Sequence, residues 1–264
     1  MTLTCLITGA TDGIGLAAAQ RLATEGHKLL IHGRSAQKLA AVQAQLSALP
    51  GAGRIDTFQA DFSDLAQVSA LAEAVAQACG SLDVLINNAG VYKTATPRTP
   101  AGLDVRFVVN TLAPALLTSQ LLAVMPQAGR VVNLSSAAQA PVDLTALPGE
   151  AELDDMPAYA QSKLALTMWS ACMAERHVNG PLFVAVNPGS LLNTNMVKLG
   201  WVGSDRSVEI GAQIVVDAAV GASFEGRSGA YFDNDSGRFA QPHPDARDAD
   251  KVAEVVTAIE SLIG

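Results

Sequence analysis

The sequence predicts a doubly wound α/β fold, a parallel sheet with helices on both faces. Two observations carry that expectation. Short runs of Val, Ile and Leu alternate with longer Ala/Leu-rich stretches of helical periodicity. The runs are also apolar almost throughout rather than at every second residue, as strands covered on both faces require. Residues 3–8 form the first run and end in a Gly-rich turn, followed by a helical pattern over 15–24. Residues 28–32 are the next run, with a helix around 38–48; residues 55–59 precede a helix over 65–79. Residues 84–86 lead into Asn87-Asn88-Ala89-Gly90, and further strands are expected at 130–134, 182–186 and 229–231. No linker, charge block or longer repeat divides the chain, so residues 1–264 read as a single domain.

Two segments break the rhythm. Residues 137–158 carry Pro141, Pro148, Gly149, Pro157 and five acidic side chains, and residues 190–206 mix Leu, Met and Asn with Trp201. Loops this long usually border a ligand crevice, so both are expected to wall and cover a substrate pocket. Composition narrows the function. With 49% apolar and 16% charged residues the chain is neither disordered nor fibrous, and its net charge of −8 argues against nucleic-acid or anionic-membrane partners. No stretch is expected to reach the roughly 18–20 apolar residues of a membrane span. The N-terminus lacks a basic, apolar leader, and Cys5, Cys79 and Cys172 lie far apart without CxxC spacing. Reduced thiols in a cytoplasmic protein fit this, and neither a disulfide framework nor a metal site is expected. His27, His32, His177 and His243 share no ligand spacing, and Asp154-Asp155 reads as a solvated pair. Trp169 and Met173 are expected in the core or a subunit contact, and Asp233 with Asp235 in a structural turn rather than a calcium loop.

The octet Thr8-Gly9-Ala10-Thr11-Asp12-Gly13-Ile14-Gly15 lies between the first strand and first helix. A pyrophosphate seated over helix N–H groups must approach the backbone closely, and a Cβ at Gly13 or Gly15 is expected to block it. The second strand ends Ile31-His32-Gly33-Arg34, with no carboxylate for a ribose 2′-hydroxyl. Arg34 offers donors suited to a 2′-phosphate, so NADP(H) is favoured over NAD(H); the alternative is an ordinary exposed arginine. Asp61, followed by Phe62, is a candidate for the adenine amino group, with a helix cap as its alternative.

Tyr159-Ala160-Gln161-Ser162-Lys163 opens a helix just after Pro157, and at i and i+4 phenol and ammonium share one face. A free phenol titrates near ~10, too high for a base at neutral pH. Lowering it by about three units requires roughly 4 kcal/mol, within reach of two nearby cations, the Lys and an oxidised nicotinamide.

Together, the Gly-rich octet, Asn87-Asn88-Ala89-Gly90, Asn110, Ser135-Ser136, Tyr159/Lys163 and Pro188-Gly189 resemble, in that order, the short-chain dehydrogenase/reductase family, across essentially the whole chain. The resemblance implies a Rossmann-type fold and a homodimer or homotetramer through helices near 112–125 and 159–178. It implies Tyr159 as general acid/base, and Lys163 lowering its pKa and holding the nicotinamide ribose. Ser136 would hydrogen-bond the substrate oxygen; the residues alone leave Ser135 equally open, and the family register favours Ser136. Asn110 resembles the Asn that holds a relay water. Asn88, Ala89 and Gly90 would line the adenosine ribose side, Pro188 and Gly189 would contact the cofactor, and Thr194 would meet the nicotinamide carboxamide. Two features depart from the pattern. Ser136 and Tyr159 stand 23 positions apart, a long interval that resembles the retinol-dehydrogenase-like branch, and one extra residue precedes Thr194. The expected activity is hydride transfer between NADP(H) and a partly apolar carbonyl or alcohol. The competing readings are a catalytically silent NADP-binding sensor or scaffold, and a C=C reductase, dehydratase or epimerase using the same Tyr/Lys pair.

Overall fold

The computed structural model describes residues 2–195 and 206–264. Eight strands form one sheet: β1 (Thr4–Ile7), β2 (Lys28–Gly33), β3 (Ile55–Gln59), β4 (Val84–Asn87), β5 (Arg130–Leu134), β6 (Leu182–Asn187), β7 (Tyr231–Asp233) and β8 (Arg238–Ala240). Their order is β3-β2-β1-β4-β5-β6-β7-β8. The first seven run parallel, six at the sequence-predicted positions and β7 two residues later than the expected 229–231; β8 joins β7 antiparallel, a strand the sequence reading did not include. The order reverses at β1, which pairs with β2 on one side and β4 on the other, opening a crevice at the strands' C-terminal ends.

Seven helices among the described residues cover the sheet: α1 (Gly13–Thr24), α2 (Ala36–Ser47), α3 (Leu65–Ala78), α4 (Val105–Val124), α5 (Asp155–Arg176), α6 (Val208–Val220) and α7 (Ala249–Ile263). Side chains of Asp12, Ser35, Asp64, Ser207 and Asp248 accept first-turn amides of α1, α2, α3, α6 and α7, which is why these helices begin there. Strand pleating splits the apolar runs between two cores. Cys5, Ile7, Leu29 and Ile31 face α1, α2 and α6, whereas Leu6, Leu30, Leu85 and Val131 face α3, α4, α5 and α7.

Three expectations change here. First, α4 is long and apolar enough to cross a membrane, but 67% of that stretch is buried within the protein, as befits a core helix. Second, α5 is buried from Ala158 to Ser170 between sheet, α4 and α7, so most of the expected subunit face at 159–178 is already covered by the chain itself. Trp169 lies in this core, edge-on to Phe183 with ring centres 6.3 Å apart. Third, residues 137–158 are strapped down rather than poised as a lid. Ala146 and Leu147 are buried, Gln161 accepts the Asp143 amide at 2.9 Å, and Arg98 donates to the carbonyls of Gly149 (2.9 Å) and Ala151 (3.3 Å). Of the segment 190–206, residues 196–205, with Trp201, lie outside the described residues.

Candidate active site

At the C-terminal end of β1 the Gly-rich turn is bound to the segment after β4. The Thr8 hydroxyl accepts the amides of Asn88 and Ala89, both at 3.0 Å, and Asn88 Nδ2 donates to the carbonyls of Thr8 (2.8 Å) and Gly9 (3.1 Å). Gly9 has φ +65°, and a Cβ there would stand 2.9 Å from the Ala89 Cα. A Cβ on Gly15 would fall 2.4 Å from Asn88 Nδ2 and 2.5 Å from the Gly9 carbonyl. The packing of the turn on Asn88 thus by itself already requires glycine at position 15. Gly13 (φ +53°) starts α1, where Asp12 accepts its amide at 2.8 Å. Ile14 turns its side chain toward Gly211 of α6, leaving its amide in a first turn that has no intrahelical acceptors.

Around this turn stand the remaining nucleotide candidates. The Thr11 methyl would meet a Cβ on Gly33 at 2.7 Å, which explains the glycine before Arg34. Arg34 is exposed, and its guanidinium makes no hydrogen bond or ion pair among the described residues. Asp61 Oδ1 accepts the Ser63 amide (2.9 Å) and hydroxyl (2.8 Å); the cap of α3 is Asp64, so Asp61 does not cap a helix. Phe62 is buried, its ring stacked on His32 at 4.3 Å, so its side chain belongs to the packing and not to a ligand surface. Ala89 and Gly90 are half-buried after β4. Left-handed glycines, a helix N-terminus and an unpaired arginine at the end of β2 suit an adenine dinucleotide carrying a 2′-phosphate.

The reacting end lies across the crevice. Ser135 is buried and turned into α5, 2.6 Å from the Thr167 hydroxyl, whereas Ser136, whose hydroxyl accepts the Ala138 amide at 3.1 Å, lies on the side of the Tyr159 phenol and favours its ionised form. Successive residues leave the end of β5 in opposite directions, so the geometry separates the two serines. Lys163 donates to the Leu134 carbonyl at 2.7 Å, its Nζ 5.8 Å from the Tyr159 ring centre. Tyr92 meets Tyr159 edge-on at 5.4 Å. Burial pushes the Tyr159 phenol above its usual value, outweighing the opposing pull of Ser136, and pushes the Lys163 ammonium down to about 8. Burial thus opposes the acidity that the Tyr/Lys spacing suggests for the phenol.

Asn110 sits in a π-helical turn of α4, Val108–Leu112. Its carboxamide accepts the Val91 amide (2.8 Å) and donates to the Val91 carbonyl (2.9 Å) and the Ser162 hydroxyl (3.0 Å). Ser162 in turn donates to the Tyr159 carbonyl at 2.7 Å. Asn110 thereby joins the segment bearing Tyr92 to the helical turn bearing Tyr159. Pro188 offers its carbonyl to Asn234 (2.9 Å), and the Gly189 amide donates to Asn187 (3.2 Å). Asp233 and Asp235 both accept from Asn187, and Asp235 also binds Ser190 and Arg206, as a structural turn should. Thr194 lies with its methyl 3.3 Å from where a Gly13 Cβ would stand, against the glycine turn.

Sequence reasoning missed two residues. The Tyr231 hydroxyl donates to the Ser136 carbonyl at 3.0 Å from a strand 95 residues away, and no local signal announces it. His32 reaches the Gly9 amide at 3.3 Å; its place two residues before Arg34 was the available clue.

A dinucleotide-type crevice at the sheet's switch point, with a Ser–Tyr–Lys group at its other end, defines a nucleotide-dependent oxidoreductase fold. The chain matches the short chain dehydrogenase family over residues 3–201. It is 32% identical over 265 residues to the short-chain dehydrogenase chyC of Penicillium rubens, covering 98% of this chain and 96% of that one. It is also 32% identical to mouse retinol dehydrogenase 12, over 86% of this chain and 76% of the relative. The structure of the landomycin C-6 ketoreductase LanV with bound NADP and rabelomycin superposes with a TM-score of 0.70 at 28% identity, covering 89% of this chain and 95% of that one. The chain belongs to the short-chain dehydrogenase/reductase family, and is an oxidoreductase acting on CH–OH or C=O groups.

Proposed function

We propose that this protein interconverts a carbonyl and an alcohol using NADP(H), with Tyr159 as general acid/base. The observation that carries the reading is the buried Tyr159 phenol facing Ser136, with Lys163 one helical turn on and its Nζ 5.8 Å from the phenol ring centre. When bound, the nicotinamide supplies or accepts the hydride. Ser136 and Tyr159 direct two hydroxyls at one substrate oxygen, polarising a carbonyl or holding an alcohol. Tyr159 gives that oxygen its proton in reduction and takes it in oxidation. A phenol pushed up by burial is protonated before reduction, and Lys163, held by the Leu134 carbonyl, keeps positive charge near the phenolate and so favours its giving up that proton. Tyr92 closes one side of Tyr159 with an aromatic edge, which favours a partly apolar substrate.

Gly9, Thr11, Gly13, Ile14 and Gly15 would hold the pyrophosphate, Asp61 the adenine, and Arg34 the 2′-phosphate. Related structures bound to NADP or NADPH support the cofactor choice. The Ser136–Tyr159–Lys163 group weighs against a silent sensor.

Tyr159→Phe is expected to lower kcat about 10³-fold while leaving the NADPH Kd within about twofold, read by NADPH oxidation and fluorescence titration. A Phe variant with ordinary turnover would remove Tyr159 from the chemistry. Arg34→Ala should raise the KM for NADPH about tenfold and leave that for NADH nearly unchanged. Equal changes for both cofactors would end the NADP assignment.

A further inference from the structure

His32 lies at the end of β2, buried, and contributes nothing to the chemistry proposed above. A buried histidine is commonly just a satisfied core residue. The identity of its partners sets this one apart. Nδ1 accepts the amide of Gly9, the first glycine of the turn, at 3.3 Å. Nε2 stands 3.1 Å from the Ala60 carbonyl, immediately before Asp61. An acceptor on one edge and a donor on the other require a single neutral tautomer, with the proton on Nε2. Burial favours the same state, pushing the imidazole down to about 4 against the field of Asp61.

The ring plane is set by stacking on Phe62, with centres 4.3 Å apart and planes 19° from parallel. The His32 backbone adds a further bond, its carbonyl accepting the Ala10 amide at 2.9 Å. Two consecutive amides of the glycine turn are thus held by one residue, one through its ring and one through its main chain. Side-chain substitution removes only the first.

We propose that His32 is a positioning residue of the cofactor site: its neutral ring ties the glycine turn after β1 to the segment after β3, and so sets the affinity for the adenine half of the dinucleotide. Gly9 occupies left-handed backbone, a conformation that glycine leaves as easily as it enters, and its amide orientation governs how the next residues face a phosphate. Losing the ring acceptor strands that amide in a partly buried site and frees the turn to rotate. The proposal rests on the glycine turn being the dinucleotide site, as read above.

Three variants of the full chain test it. His32→Phe keeps the volume and the stack but neither hydrogen bond. His32→Asn keeps an acceptor near the Nδ1 position, and His32→Gln keeps a donor near the Nε2 position. The Phe and Gln variants are expected to raise the NADPH Kd about tenfold, with KM for NADPH rising in parallel and kcat at saturation within about twofold. The Asn variant should recover most of the loss. In histidine-labelled wild type, ¹⁵N spectra should show Nε2 protonated and Nδ1 bare at neutral pH. If His32→Phe does not fold, the Asn and Gln pair carries the comparison. Equal NADPH affinity across the folded variants, or an Asn variant as weak as Gln, overturns the positioning role. Wild-type protein that fails to bind NADPH overturns the cofactor reading itself, and this proposal with it.

Discussion

The two ends of the crevice are built differently. At the nucleotide end the glycine turn is held mainly by backbone amides and by residues at the neighbouring strand ends: Thr8, Asn88 and His32. At the reacting end the groups converge through side chains distant in sequence. Tyr231 reaches Ser136, Asn110 reaches Ser162, Asp235 reaches Ser190, and Arg106 joins the start of α4 to the start of α5. The first construction joins the ends of adjacent strands β1, β2 and β4, with glycine where φ is positive. The second also draws on side chains from as far as β7 and the turn after it, so it should be the more easily broken from afar.

Arg106 gives the sharpest test of that difference. It is almost fully buried, with Nε 2.8 Å and Nη2 2.6 Å from the two oxygens of buried Asp104, and it also binds Asp155. Arg106→Met would leave the Asp104 charge without its partner, at a cost of about 3–5 kcal/mol in urea unfolding. The NADPH Kd of the folded fraction should stay near wild type. A variant that unfolds like wild type would show that the reacting end does not hang on this buried pair.

Acid should strike the nucleotide end next. His32 is held neutral, its pKa lowered from 6.5 to about 4 chiefly by burial. Above pH 6.5 both folded and unfolded chains carry it uncharged, so its contribution is intact. As the pH falls through this window the unfolded chain binds the proton first, and stability is lost until the folded ring is protonated as well. The loss amounts to about 3 kcal/mol. Urea midpoints of wild type and His32→Asn, compared between pH 7 and pH 4, should diverge by that amount; parallel curves would mean the ring titrates normally in the fold.

The smallest effect belongs to Tyr231. The Ser136 carbonyl also accepts Gln139 Nε2 at 3.0 Å, so losing the Tyr231 hydroxyl leaves it one partner. Tyr231→Phe should therefore cost only about 1 kcal/mol in thermal unfolding and lower kcat severalfold at constant KM for NADPH. A shift in cofactor KM instead would mean the two ends are not independent.

Much of the fold was legible in the chain because strands buried on both faces are apolar throughout and alternate with helical stretches of their own periodicity. β8 was not, since three residues after Gly237 contain too little pattern to announce a strand. The interval before Tyr159 looked like a covering loop from its prolines and acidic residues. Arg98, Gln161 and the burial of Leu147 make it a fixed strap, and those contacts come from other parts of the chain.

The linear order of residues was enough to determine the glycine turn, the Tyr159/Lys163 pair and the run of strands, because each depends on spacing within a turn or two of backbone. Which serine faces the phenol, what Asn110 grips and why Gly15 tolerates no side chain were decided only by the folded sheet. Each of those depends on which distant group arrives within about 3 Å, and such encounters are set by packing across strands rather than by neighbours in the chain.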